Sequence, residues 1–102
     1  MKCIETLIGD IMEEVEGAEQ YAKLALHHKD TDRDLAEMYY NMSKQEAGHA
    51  DNLYAQGNRV MNKIKENDPD SYNKMLWSWE WVHGRMIHEL TEVKVMQEMY
   101  RG

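Results

Sequence analysis

Apolar residues recur along the chain at alternating steps of three and four positions, and two polar breaks divide this pattern into three long segments. Such spacing places side chains on one face of an α-helix. The first break is the polar stretch from His28 to Asp34, and the second is Asn67-Asp68-Pro69-Asp70. The pattern therefore predicts helices over about residues 3–28, 32–66 and 69–100.

The composition favours an all-α fold. Met, Glu, Lys, Leu, Ala and Gln, which favour helices, are frequent, and the one Pro lies in a break. Thr31 or Asp32 suits the N-cap of the second helix, while Asp68 and Pro69 suit the start of the third. Long helices joined by short turns are typical of antiparallel bundles. We expect one domain over residues 1–102, made of a long antiparallel helical hairpin and a third long helix.

Charge and hydropathy argue against two classes of partner. The chain has 12 Lys and Arg against 19 Asp and Glu, for a net charge of −7, and its basic residues form no stripe that would suit nucleic acid. No apolar run is long enough to cross a membrane. The single Cys3 cannot form an intramolecular disulfide, and the N-terminus has no signal-peptide pattern. We expect a soluble cytoplasmic protein.

Charged and titratable residues interrupt the apolar seams of the first two helices. The seam of the first helix consists of Ile4, Leu7, Ile11, Glu14, Ala18, Tyr21 and Ala25. The seam of the second consists of Leu35, Tyr39, Met42, Glu46, His49, Leu53, Gln56 and Val60. A charged group in a core is costly unless it is paired or binds metal, so Glu14, Glu46 and His49 predict a divalent metal site. Carboxylate and imidazole ligands suit iron, manganese or zinc.

The register of the first helix leaves the identity of its acidic ligand open. Val15 and Ala22 permit a stripe one position over from the seam that contains Glu14. That stripe would turn Glu19 inward and make Glu14 an ordinary solvated acid. Glu16 is the other neighbouring candidate.

The third helix contains a second Glu-x-x-His motif, Glu80-Trp81-Val82-His83, in a segment rich in Trp and Met. One interpretation adds Glu80 and His83 to the same metal site. The simpler interpretation places Glu80 at the flank of an apolar packing face. This face consists of Tyr72, Met75 or Leu76, Trp79, Val82, Met86, Leu90, Val93 and Met96. Because the three Trp at positions 77, 79 and 81 cannot all face one core, we expect at least one in a subunit or partner contact.

The motifs of the first two helices resemble the ferritin-like superfamily of di-iron carboxylate proteins. Members of that superfamily carry a metal-binding Glu with a Tyr seven residues later, followed in the next helix by Glu-x-x-His. Glu14, Tyr21 and the segment Glu46-Ala47-Gly48-His49 match this pattern. The resemblance implies that Glu14 is a terminal ligand, that Glu46 bridges two metals and that His49 is an imidazole ligand. It also implies that Tyr21 is a hydrogen-bond donor beside the ligands or a redox-active catalytic neighbour.

The resemblance covers about residues 7 to 56, roughly half of the chain. Typical members differ in carrying four helices and two such half-sites in one chain. The pattern is most similar to that of the short encapsulated ferritins, in which each chain contributes half a site. Two copies of the three ligands give four carboxylates and two imidazoles, the ligand set of a di-metal bundle. We therefore expect a homodimer, or a higher even-numbered oligomer, that completes a four-helix core and binds two irons per dimer. Its expected function is the oxidation of Fe²⁺ at a site shared between subunits. The alternative is a non-catalytic ferritin-like assembly or adaptor protein that binds a protein partner through its Trp- and Met-rich third helix.

Overall fold

A computed structural model describes residues 2–102, which form three long helices. Helix α1 spans Lys2–His28, α2 spans Arg33–Asn67 and α3 spans Pro69–Arg101. The predicted all-α architecture is confirmed, and each helix boundary lies within one residue of its prediction. Over this part of the chain, no helix combines the length and the apolar character that crossing a membrane requires.

Short polar caps separate the helices. Asp32 precedes α2, and its Oδ1 accepts a hydrogen bond from the backbone N–H of Leu35 at 3.1 Å. Asp68 alone separates α2 from α3, and its carboxylate accepts from Ser71 N at 3.3 Å and from Ser71 Oγ at 2.6 Å. Pro69 follows at the first position of α3, where its missing N–H has no intrahelical partner to lose. The predicted caps at these two breaks are therefore confirmed.

Helix α3 runs antiparallel to α2. Near its beginning, Trp79 Nε1 donates a hydrogen bond of 2.8 Å to Asn58 Oδ1 in the C-terminal half of α2. Near its end, Tyr100 donates one of 2.7 Å to Glu37, close to the start of α2. The result is an elongated three-helix bundle with extents of 54 × 18 × 15 Å.

The largest apolar cluster draws residues from all three helices. Its buried members are Ile4, Ile11, Val15, Ala50, Met61, Ile64, Trp79, Val82 and Met86. Gly57 allows α2 and α3 to approach closely here, because a Cβ at this position would overlap the Trp79 ring. The buried residues of α3 belong to the predicted apolar packing face of that helix, with Tyr100 added near its end.

The buried face of α2 lies one residue away from the predicted seam. Its buried residues are Ala36, Tyr40, Ser43, Ala50, Gly57, Met61 and Ile64. The predicted seam was therefore wrong for this helix: Glu46 and Leu53 are only half-buried, and His49 is exposed. The reason is that Ala36, Ala50 and Gly57 carry weak apolar signals but let the helix backbones approach, whereas the larger residues flank the contact.

In α1 the buried stripe keeps Ile4, Ile11, Ala18 and Ala25 of the predicted seam, and Val15 and Ala22 of the alternative register are buried in place of Glu14 and Tyr21. Glu14 consequently lies at the edge of the core, half-buried. Glu19, which this register was expected to turn inward, is also half-buried and forms an ion pair of 2.8 Å with Lys23. The edge position of Glu14 determines which groups it can meet on α2.

Candidate metal centre

Glu14 of α1 and the pair Glu46 and His49 of α2 come together on one face of the α1–α2 hairpin. One potential ligand atom from each residue lies within 4.8 Å of the other two. Glu46 and His49 are neighbours because a separation of three residues is close to one helical turn. His49 Nδ1 lies 3.4 Å from Glu14 Oε2. Ligands bound to one divalent ion stand roughly 3 to 4 Å apart, so small side-chain movements would let all three reach the same ion.

This cluster lies on the side of the hairpin that α3 does not cover. The groove beside it is lined only by residues of α1 and α2, which are Glu14, His49, Asn52, Leu53 and Gln56. Helix α3 borders α1 along a different groove, which contains Glu19 and Glu89. The Glu14 side chain is 27% exposed and that of His49 is 57% exposed, so the cluster is accessible to ions from solvent.

The two carboxyl groups of the cluster, those of Glu14 and Glu46, lie close enough to repel each other when both are charged. Glu14 Oε2 is buried and accepts no hydrogen bond among the described residues, although His49 Nδ1 lies 3.4 Å away. The neighbouring Glu14 carboxyl raises the pKa of Glu46 above its ordinary value, burial adds to this rise, and His49 opposes it. A cation between these groups would offset the repulsion and give Glu14 Oε2 a partner.

Gly17 of α1 provides the space that the Glu46 carboxyl occupies. A Cβ at position 17 would lie 2.9 Å from Glu46 Oε2 and 3.5 Å from Glu46 Cδ. The first distance is too short for a carbon–oxygen contact, so any other residue at this position would displace the carboxyl. The apolar pattern does not single out Gly17, although a glycine three residues after Glu14 within a continuous helix is a signal for such a role.

The other candidates on α1 lie apart from the cluster. Glu16 is exposed, and it borders the groove between α1 and α3. Among the described residues, Glu14 is the acidic side chain of α1 that meets Glu46 and His49. Tyr21 lies two helical turns from Glu14 and stacks on Tyr39 with 5.9 Å between the ring centroids. The structure thus brings three of the predicted site residues together and places Tyr21 beside another aromatic ring.

The second Glu-x-x-His motif does not join the cluster. Glu80 and His83 are both exposed, and the group of potential ligands in residues 2–102 does not include them. The His83 ring stacks on Tyr54 with 4.5 Å between the centroids. The buried face of α3 passes through Trp79 and Val82, which leaves the motif on the flank of this helix.

Comparison with known proteins does not assign this chain to a family. No protein-family model matches it, and neither a curated protein nor a solved structure matches it. The function is therefore inferred from the chemistry of the cluster and from the surface around it.

Proposed function

We propose that the chain binds Fe²⁺ through Glu14, Glu46 and His49 and oxidises it at a two-metal site that a second copy completes. The observation that carries this proposal is the convergence of the three side chains around a buried oxygen of Glu14 that accepts no hydrogen bond among the described residues. Oxygen and imidazole ligands suit iron, and carboxylates in particular stabilise Fe³⁺. Manganese and zinc are the competing metals for the same ligand set.

The surface around the cluster supports a second copy. Three side chains leave a metal ion with open coordination positions. The side of the α1–α2 hairpin that contains the cluster also carries large apolar residues that are only half-buried, namely Leu7, Tyr21, Leu35, Tyr39, Met42, Leu53 and Val60. We call this surface, together with the three ligands, the hairpin face. Two hairpin faces packed together would form a four-helix core with four carboxylates and two imidazoles, the ligand set of di-iron bundles.

Within such a dimer the three ligands would have different tasks. Glu14 and His49 would hold one metal ion from opposite helices of the hairpin. Glu46 would hold metal beside them, and a bound cation would oppose the effect of the Glu14 carboxyl, which raises the pKa of Glu46. Two Fe²⁺ ions held as a pair can give two electrons to dioxygen or to a peroxide.

A non-catalytic assembly or adaptor role is the second candidate. The observation that favours it is the exposure of two Trp side chains on α3, Trp77 at 73% and Trp81 at 46%. Exposed aromatic groups are enriched where proteins contact partners. This role requires no metal, so iron uptake distinguishes the two candidates.

The test is aerobic oxidation of Fe²⁺, followed by the absorbance of Fe³⁺, with the oligomer measured in parallel. We expect Glu46→Ala to reduce the rate to that of buffer while the oligomer persists. Glu66→Ala, an exposed acidic control on α2, should behave like the wild type, and Glu80→Ala on α3 should oxidise iron at the wild-type rate. Wild-type protein that takes up no iron, or a Glu46→Ala variant that oxidises it at the wild-type rate, would contradict the proposal.

A further inference from the structure

The outer face of α3 carries a second stripe at helical spacing, on the side away from the core. Its members are Trp77, Trp81, Gly84, His88, Thr91, Val95 and Met99. We call this set the outer stripe; all seven residues are exposed, and its ends are apolar. At one end Trp77 is 73% exposed, and at the other end Val95 is 53% and Met99 58% exposed. A surface helix normally presents charged residues on its outer face, so α3 has one apolar face more than this bundle uses.

We propose that the outer stripe packs against the outer stripe of a second copy, with the two α3 helices antiparallel about a two-fold axis at His88. This axis places Trp77 opposite Met99 of the partner subunit and Trp81 opposite Val95 of the partner subunit. Each large ring then meets a smaller apolar side chain at both ends of the contact. Near the axis, Gly84 leaves open space where a Cβ would meet no atom within 4 Å. A parallel arrangement would instead set Trp against Trp at one end and valine against valine at the other.

Charge complementarity identifies a second copy as the occupant. In an antiparallel two-fold contact, each side of the stripe meets the same side of the partner's stripe. One side carries Arg85 and Glu92, and the axis brings Arg85 within one residue, about 1.5 Å along the helix, of the level of Glu92 of the partner subunit. The other side carries Glu80, Lys94 and Glu98, and both Lys94 and Glu98 of the partner subunit come within two residues, about 3 Å, of the level of Glu80. Opposite charges therefore meet on the side of Arg85 and Glu92, which is the side that favours a second copy.

Arg85 and Glu92 already have charged neighbours within α3. Arg85 forms an ion pair of 3.1 Å with Glu89, and His88 lies 3.5 Å from Glu92. Groups held in place lose less side-chain entropy when a partner arrives. The contact thus extends two ion pairs of one chain into a network between two chains.

The outer stripe and the hairpin face lie on different helices, so one chain can use both. Two different two-fold contacts on one chain generate an even-numbered assembly larger than a dimer when they close. The α3 contact does not depend on metal. Its failure and the failure of the proposed iron site are therefore separate outcomes.

Cysteine cross-linking tests the antiparallel geometry, with Cys3 replaced by Ser in every variant. We expect His88→Cys to form a disulfide-linked dimer under mild oxidation, because this position lies on the axis. Val95→Cys is the control, since its two copies would lie about 21 Å apart along the helix, beyond the reach of a disulfide. Equal cross-linking of both variants would indicate parallel helices, and cross-linking of neither would show that the outer stripe does not pair with itself. Either result would overturn the proposal.

Charge variants provide a second test, read out by native mass spectrometry on variants whose helical circular dichroism matches the wild type. Arg85→Glu should weaken the α3 contact about tenfold or more, and adding Glu92→Arg should restore it. Lys63→Glu changes the net charge equally on an exposed part of α2 and should leave the assembly unchanged. Iron binding at the hairpin face should be the same in all three variants. An assembly that responds equally to Arg85→Glu and Lys63→Glu would refute the proposed pairing.

Discussion

Gly17→Ala is expected to stabilise the apo protein against unfolding and to weaken its metal binding. Alanine is more favourable than glycine inside a helix by about 1 kcal/mol. The added Cβ would stand 2.9 Å from Glu46 Oε2, however, so the carboxyl must move away. Glu46 is a flexible and half-buried side chain, and it can turn toward solvent at little cost while no metal is bound. We therefore expect the free energy of unfolding of the apo protein to rise by up to about 1 kcal/mol.

Metal binding should respond in the opposite direction, because the displaced carboxyl no longer points at Glu14 and His49. Changes that misorient a metal ligand typically weaken binding by about 10- to 100-fold. Anaerobic calorimetric titration with Fe²⁺ measures the affinity, and urea denaturation of the apo protein measures the stability. Gly9→Ala is the matched control on the same helix, because its Cβ would meet no atom within 4 Å. It should gain stability without losing affinity.

Two results would refute this reasoning. A Gly17→Ala variant that binds Fe²⁺ within about twofold of the wild type would show that the position of Glu46 does not govern binding. A variant that is less stable than the wild type would show that Gly17 serves the packing of α1 on α2 rather than the carboxyl.

Three further substitutions test the pKa of Glu46, the exposure of His49 and the packing of α2 on α3. The folded-state pKa of Glu46 lies above its ordinary value of 4.5. The stability that Glu46 contributes to the apo protein is therefore fully present below pH 4.5, and it is lost as the pH rises through the folded-state pKa. Glu46→Gln removes this loss, so the variant should become increasingly more stable than the wild type as the pH rises above about 4.5, as measured by urea denaturation. A stability difference that does not change with pH would contradict the proximity of Glu14. His49→Ala should change the free energy of unfolding of the apo protein by less than about 0.5 kcal/mol, because the side chain is 57% exposed, and it should weaken Fe²⁺ binding. A larger loss of stability would place His49 in the core. Gly57→Ala should destabilise the fold by about 1 to 3 kcal/mol in the same assay, because its Cβ overlaps the Trp79 ring; an unchanged stability would show that α2 and α3 separate easily.

The helices and their boundaries followed from local signals. Asp32, Asp68 and Pro69 act within one helical turn, so a reader of the sequence can place them without knowing the tertiary contacts. The convergence of Glu14 with Glu46 and His49 was also accessible, because the spacing on each helix and the short connection between them limit how the two helices can align.

The register of the buried faces could not be read in the same way. Large apolar residues dominate a periodic pattern, but the buried positions of α1 and α2 include small residues such as Ala18, Ala22 and Ala50. The pattern therefore predicted a seam displaced by one position on α2, and on α1 it included Glu14 and Tyr21 where Val15 and Ala22 are buried. The half-buried residues of the two predicted seams, such as Tyr21, Tyr39 and Leu53, belong to the hairpin face that the proposed function assigns to a second copy.

The role of Gly17 depends on a distance between two helices, and no local pattern encodes such a distance. The position of Tyr21 also depends on a contact between helices. Its spacing from Glu14 suggests a role at the metal site, but its ring packs on Tyr39 of α2. Residues that act through contacts between helices need the assembled structure before their roles can be assigned.

The most direct test of the shared metal site is the iron content per chain after anaerobic Fe²⁺ loading, with the molar mass of the same sample measured by light scattering. The proposed site predicts one iron per chain in an even-numbered oligomer, and loss of that iron in Glu46→Ala. A monomer that holds two irons per chain would contradict the shared site, and a protein that retains none would contradict the metal centre itself.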